Sequence, residues 1–357
     1  MEFAFDRVIS LGGRTVGPDA PVFVIAEIGV NHNGSLDMAM RMIDAARDAG
    51  ADAVKFQSYR ADEFIASEDL THAYVSDGRE VIESQFQMFA RLQMPDDWHA
   101  ELFDHARQLD VVPMTSVADV ASMRVAGAAG AAAYKLASED LVNLPLLDAA
   151  AADGRPLLLS TGMATTEEID DAVQVIARHG RSAVVFLHCV SVYPTSDDEV
   201  RLGRMDLVRE RTGAVVGYSD HALGPEACVA AVARGACVIE KHFTLDRRLP
   251  GPDQALSADP GEMKAMIDSI RRVERMRAGD SAIGPSRTER QSRVNFRRSL
   301  VAARDLPAGA TLGLDDVRLQ RCGMEGLRYR DAGLIVGHML TRPVRASQPI
   351  LPEDVTP

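Results

Sequence analysis

Eight short apolar segments recur along the chain, separated by stretches in which apolar residues follow a helical period. The segments are rich in β-branched residues and do not alternate strictly with polar ones, which is typical of parallel strands buried on both faces. They are residues 22–27, 53–57, 111–116, 132–138, 157–161, 183–188, 214–220 and 237–242. The repeated order of strand and helix predicts an α/β fold, a (β/α)8 TIM barrel.

The connection after the second predicted strand is much longer than the others. Residues 58–94 lie between the end of this strand at Gln57 and Pro95. We predict a helix over residues 79–92. Because long insertions after a barrel strand generally cover the active site, we expect a lid or a substrate wall here, in preference to a decorative loop.

The pattern changes after the last predicted barrel helix. Residues 279–292 are polar, contain Gly and Pro, and predict an interdomain linker. Strand-like segments follow at residues 299–303, at Leu312 and at residues 340–344. We therefore assign residues 1–280 to the barrel, residues 281–296 to a linker and residues 297–357 to a small β-rich domain.

The composition is that of an ordinary globular protein, with 46% hydrophobic and 25% charged residues. The net charge of −13 argues against a nucleic-acid partner. Residues 271–298 depart from this trend, since nine arginines and three acids give them a local charge of 9 − 3 = +6. Because aromatic residues for base stacking are nearly absent there, we expect this segment to dock on an acidic surface of the barrel or of a partner subunit.

Nothing in the sequence predicts a membrane or export segment. The first ten residues lack a basic region followed by an apolar one, and the Ala/Gly-rich run at residues 126–133 is too short to span a bilayer. The four cysteines show no CxxC spacing and are expected to be small core residues. We therefore expect a cytoplasmic protein without a membrane partner.

Two histidines end neighbouring predicted strands. His221 and His242 follow the seventh and eighth strands, which are adjacent in a closed barrel. Neutral imidazoles in this arrangement can share a divalent ion and leave positions open for water and substrate oxygens. A lone histidine at a barrel mouth can also be a hydrogen-bonded core residue, but two at adjacent strand ends favour a weak, exchangeable metal site.

Lysine and serine side chains also cluster at the predicted strand ends. Two ammonium groups and several hydroxyls facing one cavity suit a phosphate or a carboxylate. The residues concerned are Lys55, Lys135, Ser138, Ser160 and Ser219. A Schiff-base lysine is the rival interpretation, since a buried lysine can lose its proton. Surface salt bridges are disfavoured within such apolar strands.

Two carboxylates complete the set that follows from the residues alone. Glu27 ends the first strand and can orient water or a substrate hydroxyl, and Asp253 follows the last strand as a second acceptor. The sequence contains no dinucleotide-binding fingerprint after the first strand, no P-loop and no H-E-x-x-H motif. Nicotinamide, ATP-binding and protease functions therefore have no positive support.

The ordered motifs resemble those of the sialic acid synthase family. They are AEIGVNHNGSL, VKFQ, YKLAS, LSTGM, HCVSVYPT, GYSDHALG and EKHFTLDRRLPGPDQALSADP. The segment from RRSLVAARDLPAG to RASQPILPED is similar to the small antifreeze-like (SAF) domain of those enzymes. The resemblance runs from about residue 20 to the end of the sequence.

The resemblance implies condensation of phosphoenolpyruvate with an N-acylated hexosamine to give a nine-carbon 2-keto sugar acid. It implies a divalent metal, most commonly Mn2+ with Mg2+ or Co2+ possible, on His221 and His242. The lysines and serines named above match the phosphoenolpyruvate pocket. The sugar and water side is matched by Glu27, Gln57, Tyr193 and Asp253. Glu27, His221 and His242 are the expected catalytic residues.

Some positions depart from the family pattern on the sugar side. Asp140 follows Ala137-Ser138-Glu139 where many relatives have G-S-G-E, and Ser191 lies between two valines where some have Thr-Asn. These changes and the insertion favour a 2,4-diacetamido hexose, as in legionaminic acid synthases, over N-acetylmannosamine. A pseudaminic acid-type synthase, a metal-dependent barrel aldolase that needs no phosphoenolpyruvate, and a non-catalytic sugar-binding protein remain as alternatives.

The resemblance also implies a role for the small domain. Arg321 matches an arginine that reaches the sugar site in this family, although Cys322 stands where the family often has proline. The predicted linker is long enough to cross to a neighbouring subunit, which would make a domain-swapped homodimer with Arg321 acting in trans.

Overall fold

The computed structural model describes residues 3–279 and 283–356. Its strands are β1 (Ile9–Leu11), β2 (Arg14–Val16), β3 (Phe23–Gly29), β4 (Ala53–Ser58), β5 (Thr71–Ser76), β6 (Arg79–Ser84), β7 (Val112–Val117), β8 (Tyr134–Leu136), β9 (Leu157–Ser160), β10 (Val184–His188), β11 (Val215–Asp220), β12 (Val238–His242), β13 (Arg298–Ala302) and β14 (Val317–Arg321). Its α-helices are α1 (Leu36–Ala49), α2 (Ala61–Phe64), α3 (Gln85–Leu92), α4 (Trp98–Gln108), α5 (Val120–Ala128), α6 (Leu144–Asp153), α7 (Thr166–Arg178), α8 (Arg204–Thr212), α9 (Glu226–Ala233), α10 (Pro260–Arg277) and α11 (Arg287–Phe296). The chain divides after Gly279 into two compact units.

Eight parallel strands close a barrel in the first unit. β3, β4 and β7 to β12 pair in chain order, and β12 returns to pair with β3. Every strand is followed by a helix before the next strand begins. The predicted (β/α)8 barrel is therefore confirmed, and its strands lie within a few residues of the predicted segments.

The barrel strands are buried on both faces, as their continuous apolar pattern requires. Outward side chains such as Val24 and Val54 join the core between the sheet and the helices. Inward side chains such as Ile25 and Leu158 fill the interior at the amino-terminal ends of the strands. Because side chains alternate along a strand, the inward positions nearer the carboxyl ends are fixed by this register.

The hairpin of β1 and β2 closes the amino-terminal end of the barrel. Ile9, Leu11 and Val16 join the same apolar cluster as the inward side chains of that end. The sequence analysis did not predict this hairpin. Its Gly12-Gly13 turn, with positive φ at both residues, is the local signal for it.

The insertion after β4 contains a β-hairpin that the prediction missed. Residues 79–84 form β6, which pairs with β5, so the helix predicted over residues 79–92 begins only at Gln85. Asp77 and Gly78 form the turn with φ of 48° and 70°, and Asp-Gly is a favoured sequence for this geometry. Close to the turn, Ser76 Oγ accepts a hydrogen bond of 3.1 Å from the Gly251 amide.

The second unit has its own apolar core beside an antiparallel pair, β13 and β14. The predicted strand at residues 299–303 corresponds to β13, whereas Leu312 lies in no strand and residues 340–344 make isolated bridges. Residues 281 and 282 of the predicted linker lie outside the described residues, and residues 283–296 differ from a linker without secondary structure because they contain α11. Ser286 and Glu289 form the capping box that begins this helix.

Among the described residues, no helix combines the length and the apolar character that spanning a membrane requires.

Candidate active site at the barrel mouth

The inward positions change from apolar to polar along the barrel strands. The inward side chains at the amino-terminal ends of the strands form an apolar floor. From the next inward position along each strand, carboxylate, ammonium, hydroxyl and imidazole groups point into the same interior. This polar layer consists of Glu27, Lys55, Ser116, Lys135, Ser160, Ser219, Glu240 and His242. The predicted strand-end cluster is therefore one site at the carboxyl ends of the strands, where barrel enzymes carry their chemistry.

Glu27 and Lys55 form a buried ion pair in this layer. Glu27 Oε2 lies 2.5 Å from Lys55 Nζ, and both side chains are almost fully buried. Gln57 donates a 3.0 Å hydrogen bond to Glu27 Oε1, and Lys55 donates a 2.7 Å bond to Ser116 Oγ. These bonds hold the Lys55 ammonium and the Glu27 carboxylate in fixed positions. Glu27, which was predicted as a single acceptor, is therefore part of a hydrogen-bond network.

Glu240 is a second buried carboxylate that the sequence analysis missed. Its Oε1 accepts a 2.8 Å hydrogen bond from Ser219, and its Oε2 lies 3.7 Å from Lys55 Nζ. The signal was available, because Glu240 stands two residues before His242 and so shares its inward face. Lys55 therefore lies between two carboxylates.

The two carboxylates have opposite pKa shifts. Burial raises the pKa of Glu27 to about 7, although Lys55 opposes this. For Glu240, burial is outweighed by the charges of Lys55 and Lys135 and by the Ser219 hydrogen bond, which hold its pKa at about 2. Because the charges of Glu27 and Glu240 interact, the two carboxylates titrate as a coupled pair, and burial places the proton taken up near neutrality mainly on Glu27.

Lys55 remains cationic in this setting. Burial lowers the pKa of Lys55, but the charges of Glu240 and Glu27 more than compensate and raise it overall. A protonated ammonium has no lone pair to attack a carbonyl, so the site does not favour the Schiff-base alternative for Lys55. Lys135 is buried and donates to the Leu136 carbonyl at 3.1 Å, which leaves its other N–H groups for an anion.

His221 and His242 lie side by side at the mouth, with ring centroids 5.7 Å apart. His221 Nδ1 lies 2.7 Å from the Val190 carbonyl, so Nδ1 carries the proton and Nε2 presents a lone pair. His242 Nδ1 is buried without a hydrogen-bond partner. Burial lowers the pKa of both rings, most strongly for His242, so both are neutral imidazoles.

These two rings fit the predicted metal as donors, but they are only two. Within residues 3–279 and 283–356, no group of three or more His, Cys, Asp or Glu side chains is arranged to hold an ion. Asp253 Oδ2 lies 3.6 Å from His242 Nδ1, and burial raises the pKa of Asp253 to about 6. His242 Nδ1, which is buried without a partner, and the lone pair on His221 Nε2 fit a shared, exchangeable ion.

Tyr193 lies over the histidine pair. Its ring centroid is 4.1 Å from that of His221 and 6.0 Å from that of His242, the latter edge-to-face. The tyrosine is half exposed, so one face of the ring is accessible from the mouth. It forms a wall of the site next to the proposed metal ligands.

A second group of hydroxyls surrounds Gly162, which follows β9. A Cβ atom at Gly162 would lie 2.6 Å from Ser138 Oγ and 2.8 Å from Cys189 Sγ, and it would also collide with Ser191 Oγ. Only glycine permits this close approach. The structure thus brings together the predicted Ser138 and Ser191 with Cys189, which the sequence analysis treated as a core residue. Ser191 Oγ is buried without a partner.

The adjacent acids Glu139 and Asp140 have different environments. Asp140 is buried in the turn after β8, where burial and the neighbouring Glu139 raise its pKa to about 7. Glu139 is exposed, and its charge contributes to raising the pKa of both Lys55 and Tyr193. Both acids of this turn therefore affect the site: the predicted Asp140 and also Glu139.

Arg321 lies in the second unit, at the end of β14. Its guanidinium stands 5.3 Å from the centroid of the Phe296 ring, and Arg298 is its cross-strand partner. The contribution of Arg321 to a barrel site stays a prediction.

Comparisons with known proteins identify the family of the chain. Residues 42–281 match the NeuB family and residues 297–356 match the SAF domain. The chain is 36% identical over 348 residues to the N,N'-diacetyllegionaminic acid synthase of Legionella pneumophila, covering 96% of this chain and 97% of that protein. It is 33% identical over 303 residues to the pseudaminic acid synthase of Campylobacter jejuni, covering 85% and 88% respectively.

A solved structure extends the comparison to the fold. The N-acetylneuraminic acid (sialic acid) synthetase of Leptospira borgpetersenii is 31% identical, covers 82% of this chain and 96% of its own, and superposes with a TM-score of 0.72. These relatives are acid synthases by name, and the resemblance seen in the sequence is confirmed. The chain belongs to the NeuB family and carries a SAF domain after its barrel.

Proposed function

We propose that this chain condenses phosphoenolpyruvate with an N-acylated hexosamine and water, giving phosphate and a nine-carbon 2-keto-3-deoxy sugar acid. One observation carries the proposal: two buried lysines share a closed polar layer with two buried carboxylates, beside two neutral histidines. The names of the relatives support a sialic-type acid as product. The cationic layer supports an anionic co-substrate.

The charge balance of the layer suits phosphoenolpyruvate. Lys55 and Lys135 contribute two positive charges, and the Glu27–Glu240 pair retains one proton near neutrality, leaving a net positive site. The ammonium groups would bind the phosphate and carboxylate, and Ser138, Ser160 and Ser219 would donate further hydrogen bonds. Burial strengthens each of these contacts.

The reaction balances without an oxidant. C3 of phosphoenolpyruvate forms a bond to the aldehyde carbon of the open-chain sugar, whose oxygen takes a proton and becomes a hydroxyl. Water adds to C2 and loses one proton, the bond from C2 to the phosphate oxygen breaks, and C2 becomes the keto carbon as the second proton of the added water passes to the departing phosphate. Glu27, with a pKa of about 7 and fixed by Gln57, is the group we propose to move a proton at the water or the sugar oxygen.

We propose that His221 and His242 hold a divalent ion, Mn2+ by preference with Mg2+ or Co2+ as substitutes. Such an ion would supply Lewis acidity at the aldehyde oxygen. Tyr193 covers the imidazoles, and Asp253 lies next to His242, so both would orient the sugar and water beside this position.

On the sugar side, we propose a 2,4-diacetamido hexose as the preferred acceptor over N-acetylmannosamine. Ser191 Oγ is buried with no partner, and a second acetamido group would supply one. Asp140, with a raised pKa, can donate as well as accept a hydrogen bond. The identity to a legionaminic acid synthase supports this choice, and the identity to a pseudaminic acid synthase keeps that stereochemistry as the second candidate.

Mass spectrometry of products from a panel of open-chain hexosamines with phosphoenolpyruvate tests these proposals. We expect nine-carbon acids, one phosphate per product, and the highest kcat/KM for the 2,4-diacetamido sugar. Phosphoenolpyruvate labelled with 18O in its C–O–P bridge should leave the label in phosphate. Product formed from pyruvate without phosphate release would establish the aldolase alternative, and a higher kcat/KM for N-acetylmannosamine would reverse the order of sugars.

We also propose a cytoplasmic, domain-swapped homodimer with Arg321 reaching the sugar site of the partner. The second unit carries 12 arginines and 9 acids, a net charge of +3, which leaves −13 − 3 = −16 on the first unit. The opposite net charges of the two units favour association of the second unit of one chain with the first unit of another. A monomer mass by light scattering at micromolar concentration would exclude this arrangement.

A further inference from the structure

A second buried ion pair lies directly behind the polar layer. Lys241 Nζ is 2.6 Å from Asp220 Oδ2, with side chains 5% and 0% exposed. The two residues are cross-strand partners at the end of the β11–β12 register, next to the inward pair Ser219 and Glu240. Because side chains alternate, Asp220 and Lys241 point to the opposite face of the sheet, towards the helices. No role in binding or chemistry follows from that position.

This ion pair holds the peptide groups next to His221. Asp220 Oδ1 accepts a 2.9 Å hydrogen bond from the amide of Ala222, and Lys241 Nζ donates a 2.7 Å bond to the carbonyl of Ala222. Asp220 and Ala222 flank His221, and Lys241 precedes His242. The same pair thus fixes the backbone on both sides of one imidazole and immediately before the other.

Both carboxylate oxygens of Asp220 accept further hydrogen bonds. Tyr218 donates its hydroxyl to Oδ1 at 2.9 Å, and Cys228 on α9 donates its thiol to Oδ2 at 3.2 Å. A buried polar network in which every member is satisfied is rigid and specifies one arrangement. A buried carboxylate with fewer hydrogen-bond partners would restrain the neighbouring backbone less tightly.

Two other contacts hold the ring and the carbonyl of His221. The Val190 carbonyl fixes the tautomer and tilt of the ring, and the Thr195 amide donates to the His221 carbonyl at 2.9 Å. Thr195 also forms an isolated β-bridge with Ala222, but neither contact reaches β12. Between β11 and β12, the backbone ladder and the Ser219–Glu240 hydrogen bond act together with the Asp220–Lys241 pair, and the pair is the link that also holds Ala222.

We propose that Asp220 and Lys241 are positioning residues that set the spacing of the His221 and His242 imidazoles for the divalent ion. The inference rests on the proposed function, since it concerns the ion that this function requires. The competing interpretation is that the pair only stabilises the junction between the sheet and α9. The two interpretations differ in whether metal affinity changes in variants that still fold.

The test measures Mn2+ affinity of the metal-stripped full chain by electron paramagnetic resonance of free Mn2+. We expect Asp220→Asn and Lys241→Met to raise the Kd about 10- to 100-fold, the range for residues that orient metal ligands. Hydrogen exchange should also become faster at the Ala222 amide. Because breaking a buried pair can prevent folding, Tyr218→Phe serves as a mild variant, with a rise of about threefold.

Asp52→Asn is the matched control. Asp52 Oδ2 accepts from the Val24 amide and from Arg271, so it also joins a strand to a helix, but near the beginning of β3 and β4. We expect this variant to lose stability with an unchanged Mn2+ Kd.

The outcomes separate the two proposals. If His242→Ala abolishes Mn2+ binding while folded Asp220, Lys241 and Tyr218 variants keep the parent Kd within twofold, the positioning role is wrong and the metal site stands. If the parent itself binds no divalent ion, both are wrong. An equal rise in Kd for Asp52→Asn would show that general loss of stability, and not positioning, accounts for the effect.

Discussion

The floor and the mouth of the barrel are built on the same strands and differ in what their inward residues do. On β3, Ile25 faces the interior two residues before Glu27, and on β9 Leu158 precedes Ser160 by the same interval. The floor is a closed apolar cluster with the β1–β2 hairpin packed into it. The mouth gathers buried charged and polar groups, whose removal from water costs free energy. The floor and the outer core thus stabilise the barrel, which lets the mouth hold groups that cost stability.

Unpaired atoms show the same contrast. Ser191 Oγ, Glu240 Oε2 and His242 Nδ1 are buried at the mouth without hydrogen-bond partners, and each is costly in the free protein. The floor cluster contains only apolar side chains and one cysteine. Unsatisfied polar atoms at the mouth mark a place where a ligand can supply the missing partners.

The largest expected effect comes from metal removal. Chelation or His242→Ala should lower kcat/KM by about 10³-fold or more, since Lewis acidity supplies several kcal/mol to the transition state. Val238→Ala, four residues earlier on β12, should cost about 2 kcal/mol of stability and leave kcat/KM unchanged. Phosphate release from phosphoenolpyruvate measures the first effect and urea unfolding the second. Full activity of the stripped protein would refute the metal site.

A pair of variants on β9 tests the division within one strand. Leu158→Ala should reduce the free energy of unfolding by about 2–5 kcal/mol, because it opens a cavity in the floor, with kcat/KM within twofold of the parent. Ser160→Ala should change stability by less than about 1 kcal/mol and raise the KM for phosphoenolpyruvate about tenfold. If Leu158→Ala lost activity in proportion to its stability, the floor would not be independent of the site.

The smallest expected effect is a pH dependence of stability from the mouth. The pKa of Glu27 is raised from 4.5 to about 7, so its stabilising contribution is complete below pH 4.5 and is lost as the pH rises through about 7. Glu240 has the opposite sign: its pKa is lowered from 4.5 to about 2, so its contribution is present above pH 4.5 and is lost as the pH falls towards 2. Urea unfolding of the metal-free protein should show the first change between pH 5 and 8.

Glu27→Gln should reduce that change, because a glutamine side chain has no proton to lose, and the remainder should come from Asp140 and Asp253, whose pKa values are raised to about 7 and about 6. Asp52→Asn should keep it. An unchanged pH profile in Glu27→Gln would mean that another group takes up the proton.

The sequence predicted the barrel because parallel strands and their helices carry strong local patterns. The polar strand residues were predicted by the same logic, since Lys55 and Lys135 lie within apolar runs and His242 ends one. Glu240 was missed although it also lies within such a run, because its inward direction is visible only once the register with His242 is counted. The β5–β6 hairpin was missed although its Asp77-Gly78 turn is a local signal.

Other features depend on contacts between distant parts of the chain. The grouping of Ser138, Cys189 and Ser191 around Gly162 joins residues after three strands, and no spacing in the sequence specifies it. The capping box of α11 was a local signal in a segment whose polar composition concealed it.

The hydrogen bond between Ser76 and Gly251 has a consequence for protein engineering. It joins the tip of the β5–β6 hairpin to the loop that carries Asp253, two residues after Gly251. A chimera that receives the insertion of a relative with another sugar preference would therefore also disturb the Asp253 loop. Such a graft must retain an acceptor at Ser76, or the exchange of the insertion will also change the loop that carries Asp253.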